Sequence, residues 1–152
     1  MTECKEGYSY CFDSSKCAAC GGRCCRGESG YIWVKPEEIN NIATYLSLSV
    51  ADFATIYLKK VGHRYSLIEK QLNEDDYACI FFDEAKEQCS IYDSRPLQCR
   101  TFPFWEQFKN NEDEVRQECP GIVSNYNTYI FICYRTIFYR FEIVDAYIST
   151  RL

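Results

Sequence analysis

The sequence contains a single histidine, His63, and this scarcity limits the catalytic and metal sites that the chain can build. Any site that needs two histidines from one chain, such as the two-histidine, one-carboxylate iron triad, is excluded. His63 follows Val61-Gly62 in a predicted loop, which favours a surface position over a catalytic one. The sequence also lacks a glycine-rich phosphate loop, a serine-nucleophile motif and a dinucleotide fingerprint. No recognisable reaction centre therefore remains outside the cysteines.

An excess of positive charge is also missing. The chain has 17 Lys and Arg residues against 22 Asp and Glu residues, for a net charge of −5. Without a basic excess the chain is poorly suited to neutralise phosphates, which argues against nucleic acid as a partner.

Long apolar stretches are absent as well. Residues 1–10 lack the apolar core of a signal peptide, and the run Tyr129–Phe138 is short and interrupted by Arg135. Such a run cannot span a bilayer, so we expect no membrane partner. We also expect a cytoplasmic location, where clustered cysteines bind metal more often than they bind each other.

Cysteine, by contrast, is abundant, with eleven residues, four of them within the nine-residue segment 17–25. Gly21 and Gly22 lie inside this segment and let the backbone bend so that several sulfurs can point at one centre. The adjacent residues Cys24 and Cys25 project in different directions, which indicates two neighbouring sites or one polynuclear cluster. Eight ionised thiols would add eight negative charges to an acidic chain, and they would persist only beside cations.

Two further cysteines fall in a predicted β-hairpin, in which residues 78–82 pair with residues 88–92 across a polar loop. If Phe82 pairs with Gln88, Cys79 and Cys89 become diagonal neighbours on one face. Diagonal neighbours are within joint reach of a cluster. A register shift of one residue would place the two thiols on opposite faces.

A short helix that ends at Pro103 is predicted to carry Cys99 near its N-terminal end. Pro96 fits its first turn, and the helix dipole and the charges of Arg95 and Arg100 are expected to lower the thiol pKa. We expect these arginines to offset thiolate charge rather than to bind a substrate. The turn Cys119-Pro120-Gly121 adds another thiol.

The remaining pattern predicts an α+β fold that is mainly helical, a small single domain of residues 1–152 organised around a cysteine-ligated metal centre. Helices are predicted to begin at Pro36 and after Ser49. Residues 65–82 are predicted to be extended, and an amphipathic helix is predicted at about 123–148. We expect aromatic side chains of residues 102–108 to shelter the metal from water.

Taken together, these motifs resemble the YkgJ-type cysteine-cluster family, described as a zinc- or iron-chelating domain. The resemblance covers residues 17–121 and rests on Cys17-x-x-Cys20-x-x-x-Cys24-Cys25, Cys79, Cys89-Ser90-Ile91-Tyr92-x-x-Arg95-Pro96-x-x-Cys99-Arg100, Phe102-Pro103 and Cys119-Pro120-Gly121. The family commonly has two residues before the double cysteine, whereas this chain has three, Gly21-Gly22-Arg23. The resemblance implies eight metal ligands: Cys17, Cys20, Cys24, Cys25, Cys79, Cys89, Cys99 and Cys119.

The metal and the function stay open at this point. The flagellin lysine-methylase family carries a similar cluster, which places an iron–sulfur cluster slightly ahead of zinc or iron ions. The chain is expected to be a metal-binding protein. The alternatives are a metal-cluster-dependent enzyme of modification type and a structural zinc adaptor, and a protein partner is left open. We expect Cys133 to be a core thiol, and Cys4 and Cys11 to be exposed or loosely packed thiols, with a role as extra ligands as the alternative.

Overall fold

A computed structural model describes residues 1–125 of the chain. Its strands are β1 Thr2–Cys4, β2 Tyr10–Asp13, β3 Arg26–Gly27, β4 Ile32–Val34, β5 Leu58–Val61, β6 Arg64–Leu67, β7 Glu69–Gln71, β8 Tyr77–Cys79, β9 Phe82–Asp83, β10 Gln88–Cys89 and β11 Ile122–Ser124. Its α-helices are α1 Pro36–Tyr45, α2 Val50–Tyr57, α3 Leu97–Thr101 and α4 Glu112–Glu118. The fold is therefore α+β.

The prediction of a mainly helical chain is not confirmed for residues 1–125, because the strands there contain about as many residues as the α-helices. The strands form small antiparallel sheets with the orders β1-β2-β11, β3-β8-β7, β4-β6-β5 and β9-β10. The predicted C-terminal helix lies almost wholly outside the described residues. Residues 123 and 124, at the approximate start predicted for it, belong to β11, which pairs with β2.

The first two predicted helices are confirmed, and their ends follow the expected chemistry. Glu38 in the first turn of α1 accepts a hydrogen bond from the backbone N–H of Lys35, at 2.8 Å. Ser49 caps α2, since its Oγ accepts a hydrogen bond from the Asp52 backbone N–H at 3.1 Å. A side-chain acceptor of this kind satisfies an N–H that has no partner within the helix.

Two hydrophobic cores organise the described residues. The first core packs α1 and α2 against the central sheets and contains Val34, Ile39, Ile42, Ala43, Phe53, Leu67, Cys79, Phe81 and Ile91. The second core contains Tyr8, Tyr10, Phe104, Phe108, Val115, Cys119 and Ile122. Each core thus includes a cysteine of the predicted ligand set.

The predicted hairpin exists, but it is shorter than expected and its register differs by one residue. Cys89 lies opposite Phe82, and Gln88 lies opposite Asp83. The turn sets this register, because the Asp83 carboxylate accepts hydrogen bonds from the backbone N–H groups of residues 85 and 86. Cys79 lies outside the hairpin, on β8, which pairs with β7 and β3.

Cys4 and Cys11 form a disulfide, which corrects the expectation that both are loosely packed free thiols. They lie directly opposite each other in the β1–β2 ladder, with 4.3 Å between their Cα atoms, and Cys11 is buried. The pairing of these strands brings the two sulfurs together, so neither residue is a candidate metal ligand. The prediction for Cys133 lies outside the described residues.

Over residues 1–125, none of the helices combines the length and the apolar character that crossing a membrane requires. His63 lies exposed in the two-residue turn between β5 and β6, as its sequence context predicted.

Candidate metal centre

The segment of residues 17–25, here called the cysteine loop, joins two short 3₁₀ helices through a glycine bend. The first helix, Ser14–Ala19, carries Cys17, and the second, Arg23–Cys25, carries the double cysteine. Gly21 and Gly22 between them have φ angles of +65° and +67°, the left-handed region that glycine adopts without steric cost. The predicted bend at Gly21 and Gly22 is confirmed.

Residues distant in sequence hold the cysteine loop from two sides. Arg23 donates a hydrogen bond from Nη1 to the backbone carbonyl of Gln117 at 3.3 Å, just before Cys119. On the other side, Arg26 forms an ion pair with Asp76 and lies 5.8 Å from the centroid of the Phe82 ring. The sequence carried no signal for these contacts, because they join residues that are 50 or more positions apart.

Cys119 lies at the end of α4, where its backbone N–H donates to the carbonyl of Val115 at 2.8 Å. The following turn packs against the start of the cysteine loop, since the Gly121 carbonyl accepts from the Asp13 N–H at 2.8 Å. A Cβ at Gly121 would lie 2.8 Å from the Phe12 ring and 2.9 Å from the Asp13 carbonyl oxygen. This close approach requires glycine and brings Cys119 beside the loop.

Cys99 lies on α3, which is attached to the first core through α1 and β4. Glu38 accepts a second hydrogen bond from the Leu97 backbone N–H at 2.5 Å, and Gln98 accepts one from the Trp33 N–H at 2.9 Å. Pro96 precedes α3 as its N-cap instead of lying in the first turn, which corrects that part of the prediction.

Replacement of Glu38 by alanine is expected to loosen the attachment of α3 and to lower the free energy of unfolding by about 2 kcal/mol, because two backbone N–H groups lose a charged acceptor. Glu37→Ala is the matched control, since Glu37 is exposed in the same turn and contributes mainly to the helix dipole. Urea unfolding of both variants, with amide exchange at Leu97, measures the effect. Equal losses in the two variants would contradict the role of Glu38.

The two sulfur atoms of the double cysteine, Cys24 and Cys25, lie close together. The Sγ atoms of Cys24 and Cys25 are 4.0 Å apart. Hydrogen bonding from Cys25 lowers the pKa of Cys24 to about 7 and that of Cys89 to about 7, and the same interactions raise the pKa of Cys25 far above its usual range. The ionisation of Cys25 is therefore linked to that of both Cys24 and Cys89.

Burial has the largest effect on the pKa of the three more enclosed thiols, Cys79, Cys99 and Cys119. It raises the pKa of Cys79 and of Cys119 to about 11 and that of Cys99 to about 12. The pKa of Cys99 is raised overall, contrary to the expectation, because loss of hydration outweighs the lowering effect of the Arg95 charge. These three thiols are protonated near neutral pH, so a metal that binds them must displace protons.

Arg95 is a cation whose charge influences the pKa of several of these thiols. Its charge adds to the hydrogen bonding that lowers the pKa of Cys24 and Cys89, and it partly offsets the rise in pKa that burial causes at Cys17 and Cys99. Its Nε donates to the Tyr92 carbonyl at 2.8 Å, and its guanidinium carbon lies 3.5 Å from the centroid of the Tyr92 ring. These contacts hold the charge in place, in agreement with the expected role of offsetting thiolate charge.

The aromatic residues expected to shelter a metal lie on the Cys119 side. Phe104 and Phe108 are buried in the second core with Cys119, and Phe102 and Trp105 pack against it. Trp105 donates from Nε1 to the Gln98 carbonyl at 2.8 Å, which connects this aromatic group to α3.

The donors present fit a metal that prefers sulfur. The eight predicted ligands are all free thiols, with Cys79 and Cys119 buried and Cys17 and Cys24 exposed. Zinc and iron–sulfur clusters are the usual occupants of such thiolate sets. Among residues 1–125, however, no three Cys, His, Asp or Glu side chains are already gathered tightly enough to hold an ion. Loading would therefore require the thiols to move closer together.

The family model described as “CxxCxxCC: Putative zinc- or iron-chelating domain” matches residues 16–120. The chain is also 30% identical over 96 residues to Uncharacterized protein MJ0661 of Methanocaldococcus jannaschii. That match covers 63% of this chain and 48% of the relative, so the chain spans about half the length of the curated relative. No solved structure matches the chain.

Proposed function

Since the chain belongs to the family described as a “Putative zinc- or iron-chelating domain”, we propose that it is a metal-binding protein whose cysteines hold the metal. The observation that carries the proposal is the family match over residues 16–120, within which eight cysteines remain free thiols. The proposed ligands are Cys17, Cys20, Cys24, Cys25, Cys79, Cys89, Cys99 and Cys119. The whole chain, residues 1–152, would act as one domain.

An iron–sulfur cluster is the first candidate for the metal, and zinc is the second. A tetrahedral zinc ion and the common iron–sulfur clusters each take four thiolates, so the order rests on the resemblance to the cysteine cluster of the flagellin lysine-methylase family. When bound, a cluster would supply electron transfer or an open iron, and zinc would supply structure. The protein's own contribution is to enclose Cys79 and Cys119 in the two cores and to hold Arg95 against the thiolate charge.

A reducing compartment such as the cytoplasm suits this proposal, because eight thiols must stay reduced to bind metal. The disulfide joins Cys4 and Cys11, which are not among the eight, so it leaves the proposed ligand set complete. In a reducing compartment this pair is also expected to be reduced.

Anaerobic purification with metal analysis and a visible spectrum tests the proposal. The expected result is a brown protein that contains iron and sulfide. A colourless protein with stoichiometric zinc would overturn the cluster and leave metal binding intact. A reduced chain that takes up neither zinc nor iron would overturn metal binding itself.

A separate experiment tests which cysteines bind the metal. Cys99→Ser is expected to lower the metal content and the stability of the loaded protein, because Cys99 is a proposed ligand on an element attached to the first core. Cys133→Ser, at a position predicted from sequence to be a core thiol, is expected to leave the metal content unchanged. Metal analysis of both purified variants gives the comparison, and equal metal loading would refute this division of the cysteines.

A further inference from the structure

The sheet β4-β6-β5 has one covered edge and one open edge within residues 1–125. β6 is the central strand, so β4 and β5 form the two edges. At the β4 edge, the backbone N–H of Trp33 donates to Oε1 of Gln98 on α3 at 2.9 Å. At the β5 edge, none of residues 1–125 forms a hydrogen bond with the backbone of Lys60. The β5 edge therefore has an unpaired segment of backbone.

The register of β5 against β6 explains why the backbone of Lys60 faces outward. In an antiparallel ladder, successive residues direct their N–H and C=O groups alternately toward and away from the neighbouring strand. The carbonyl of Tyr57 accepts a hydrogen bond from the N–H of Ile68 at 2.9 Å, so Tyr57 faces the β6 side. Residues 59 and 61 then face β6, whereas Lys60 directs both backbone groups to the open edge.

The β5–β6 hairpin, residues 58–67, is a local concentration of positive charge. It contains Lys59, Lys60 and Arg64 and no Asp or Glu, although the net charge of the chain is −5. Lys59 forms an ion pair with Glu69 at 3.1 Å. Lys60 and Arg64 are exposed, and neither pairs with a carboxylate of residues 1–125. Two cations beside this edge can therefore bind carboxylates of another molecule.

The side chain of Arg64 is held against an aromatic pair. Its guanidinium carbon lies 3.8 Å from the centroid of the Trp33 ring, and the ring of Tyr31 stacks on Trp33 with 4.8 Å between centroids. Such contacts reduce the entropy that the side chain would lose on binding a carboxylate. Arg64 lies opposite Val61, so this fixed charge lies beside β5, whereas Lys60 lies on the other face of the sheet.

We propose that the β5 edge binds an extended, acidic segment of a partner protein, which pairs with β5 as an additional strand. Hydrogen bonds to the backbone of Lys60 provide the pairing, and carboxylates beside Lys60 and Arg64 select an acidic sequence. Pairing with β5 of a second copy is disfavoured, because it would bring like charges together. This function is separate from metal binding, since none of the proposed metal ligands lies on β5 or β6.

Calorimetric titration of the full chain with a short peptide of repeated Thr-Glu-Glu tests the proposal. Successive residues of a strand point to opposite faces, so adjacent glutamates can reach both Lys60 and Arg64. The peptide is expected to bind with an affinity that falls as the salt concentration rises. A peptide of repeated Thr-Lys-Lys is the control and is expected not to bind.

Reversal of the two charges beside the β5 edge is expected to weaken peptide binding by about tenfold or more, because Lys60→Glu/Arg64→Glu replaces attraction by repulsion. The control Lys5→Glu/Lys86→Glu changes the net charge equally at exposed positions on other elements. It is expected to change the affinity by less than about twofold, because these charges are screened from the peptide. Far-ultraviolet circular dichroism of both variants checks folding.

Replacement of Lys60 by proline tests the backbone pairing. Proline removes the N–H that faces the open edge and no hydrogen bond to β6, which is why edge strands tolerate it. Lys60→Ala is the control, since it loses the same charge and keeps the N–H. The proline variant is expected to bind the peptide about three to ten times more weakly than the alanine variant. Urea unfolding of both variants checks that the sheet is retained.

Each alternative outcome would overturn the proposal. Equal affinity of Lys60→Pro and Lys60→Ala would exclude strand pairing, and equal losses in the two charge-reversal variants would reduce binding to a general effect of net charge. Binding of polyuridylate by the full chain in place of the peptide would indicate a nucleic-acid surface instead. A folded, metal-loaded chain that binds neither would overturn this inference and leave metal binding standing.

Discussion

Removal of the metal is expected to lower the free energy of unfolding across both cores and not only in the cysteine loop. The proposed ligands run from Cys17 to Cys119, and they include buried residues of the first and the second core. A ligand that binds only the folded chain stabilises it by about 4 kcal/mol when its free concentration is about a thousand times the Kd. We therefore expect a loss of about this size when a chelator removes the metal.

Thermal unfolding of the loaded, reduced protein with and without chelator measures this loss. Amide exchange at Ile42 in the first core and at Val115 in the second core locates it. The matched control is Cys17→Ser/Cys89→Ser, whose stability should respond little to the chelator because it lacks two of the proposed ligands. Faster exchange confined to residues 17–25, with both cores unchanged, would contradict the expectation.

Gly22→Ala is expected to produce the second large effect. A Cβ at this position would overlap the buried Phe82 ring and would lie 3.0 Å from the Glu87 carbonyl oxygen. The φ of +67° also disfavours any residue with a Cβ. Overpacking of this kind costs about 1–3 kcal/mol, in addition to about 1 kcal/mol for the left-handed backbone. Because the loop would shift away from Phe82, metal affinity should fall together with stability.

Gly21→Ala is the matched control for this change. Gly21 has nearly the same φ, +65°, but the atom nearest to a new Cβ there is a Glu87 carboxylate oxygen at 3.8 Å. Urea unfolding and cobalt(II) affinity of both variants isolate the steric contribution of Phe82. If Gly21→Ala and Gly22→Ala lose the same stability and affinity, the contact with Phe82 does not position the loop.

Local patterns predicted the parts of the fold that depend on neighbouring residues. The starts of α1 and α2 were predictable because Pro36 and Ser49 act within a few residues of themselves. The same holds for the bend at Gly21 and Gly22, where only a left-handed backbone is required.

Predictions that depended on pairing or on environment were less successful. The hairpin register was wrong by one residue because hydrogen bonds to Asp83 shape the turn. The disulfide was missed because Cys4 and Cys11 meet only when β1 pairs with β2. The pKa of Cys99 was predicted in the wrong direction because its burial depends on the packing of the whole domain.

The sequence by itself determined the chemistry of this protein: an abundance of cysteine, a single histidine, and spacing that matches a cysteine-cluster family over residues 16–120. Only the tertiary structure decided which thiols are neighbours and which are lost to a disulfide. The physical reason is that thiol chemistry is a property of each residue, whereas proximity requires contacts between distant segments. Arg23 with Gln117 and Arg26 with Asp76 are such contacts, and they place the loop that carries half of the proposed ligands.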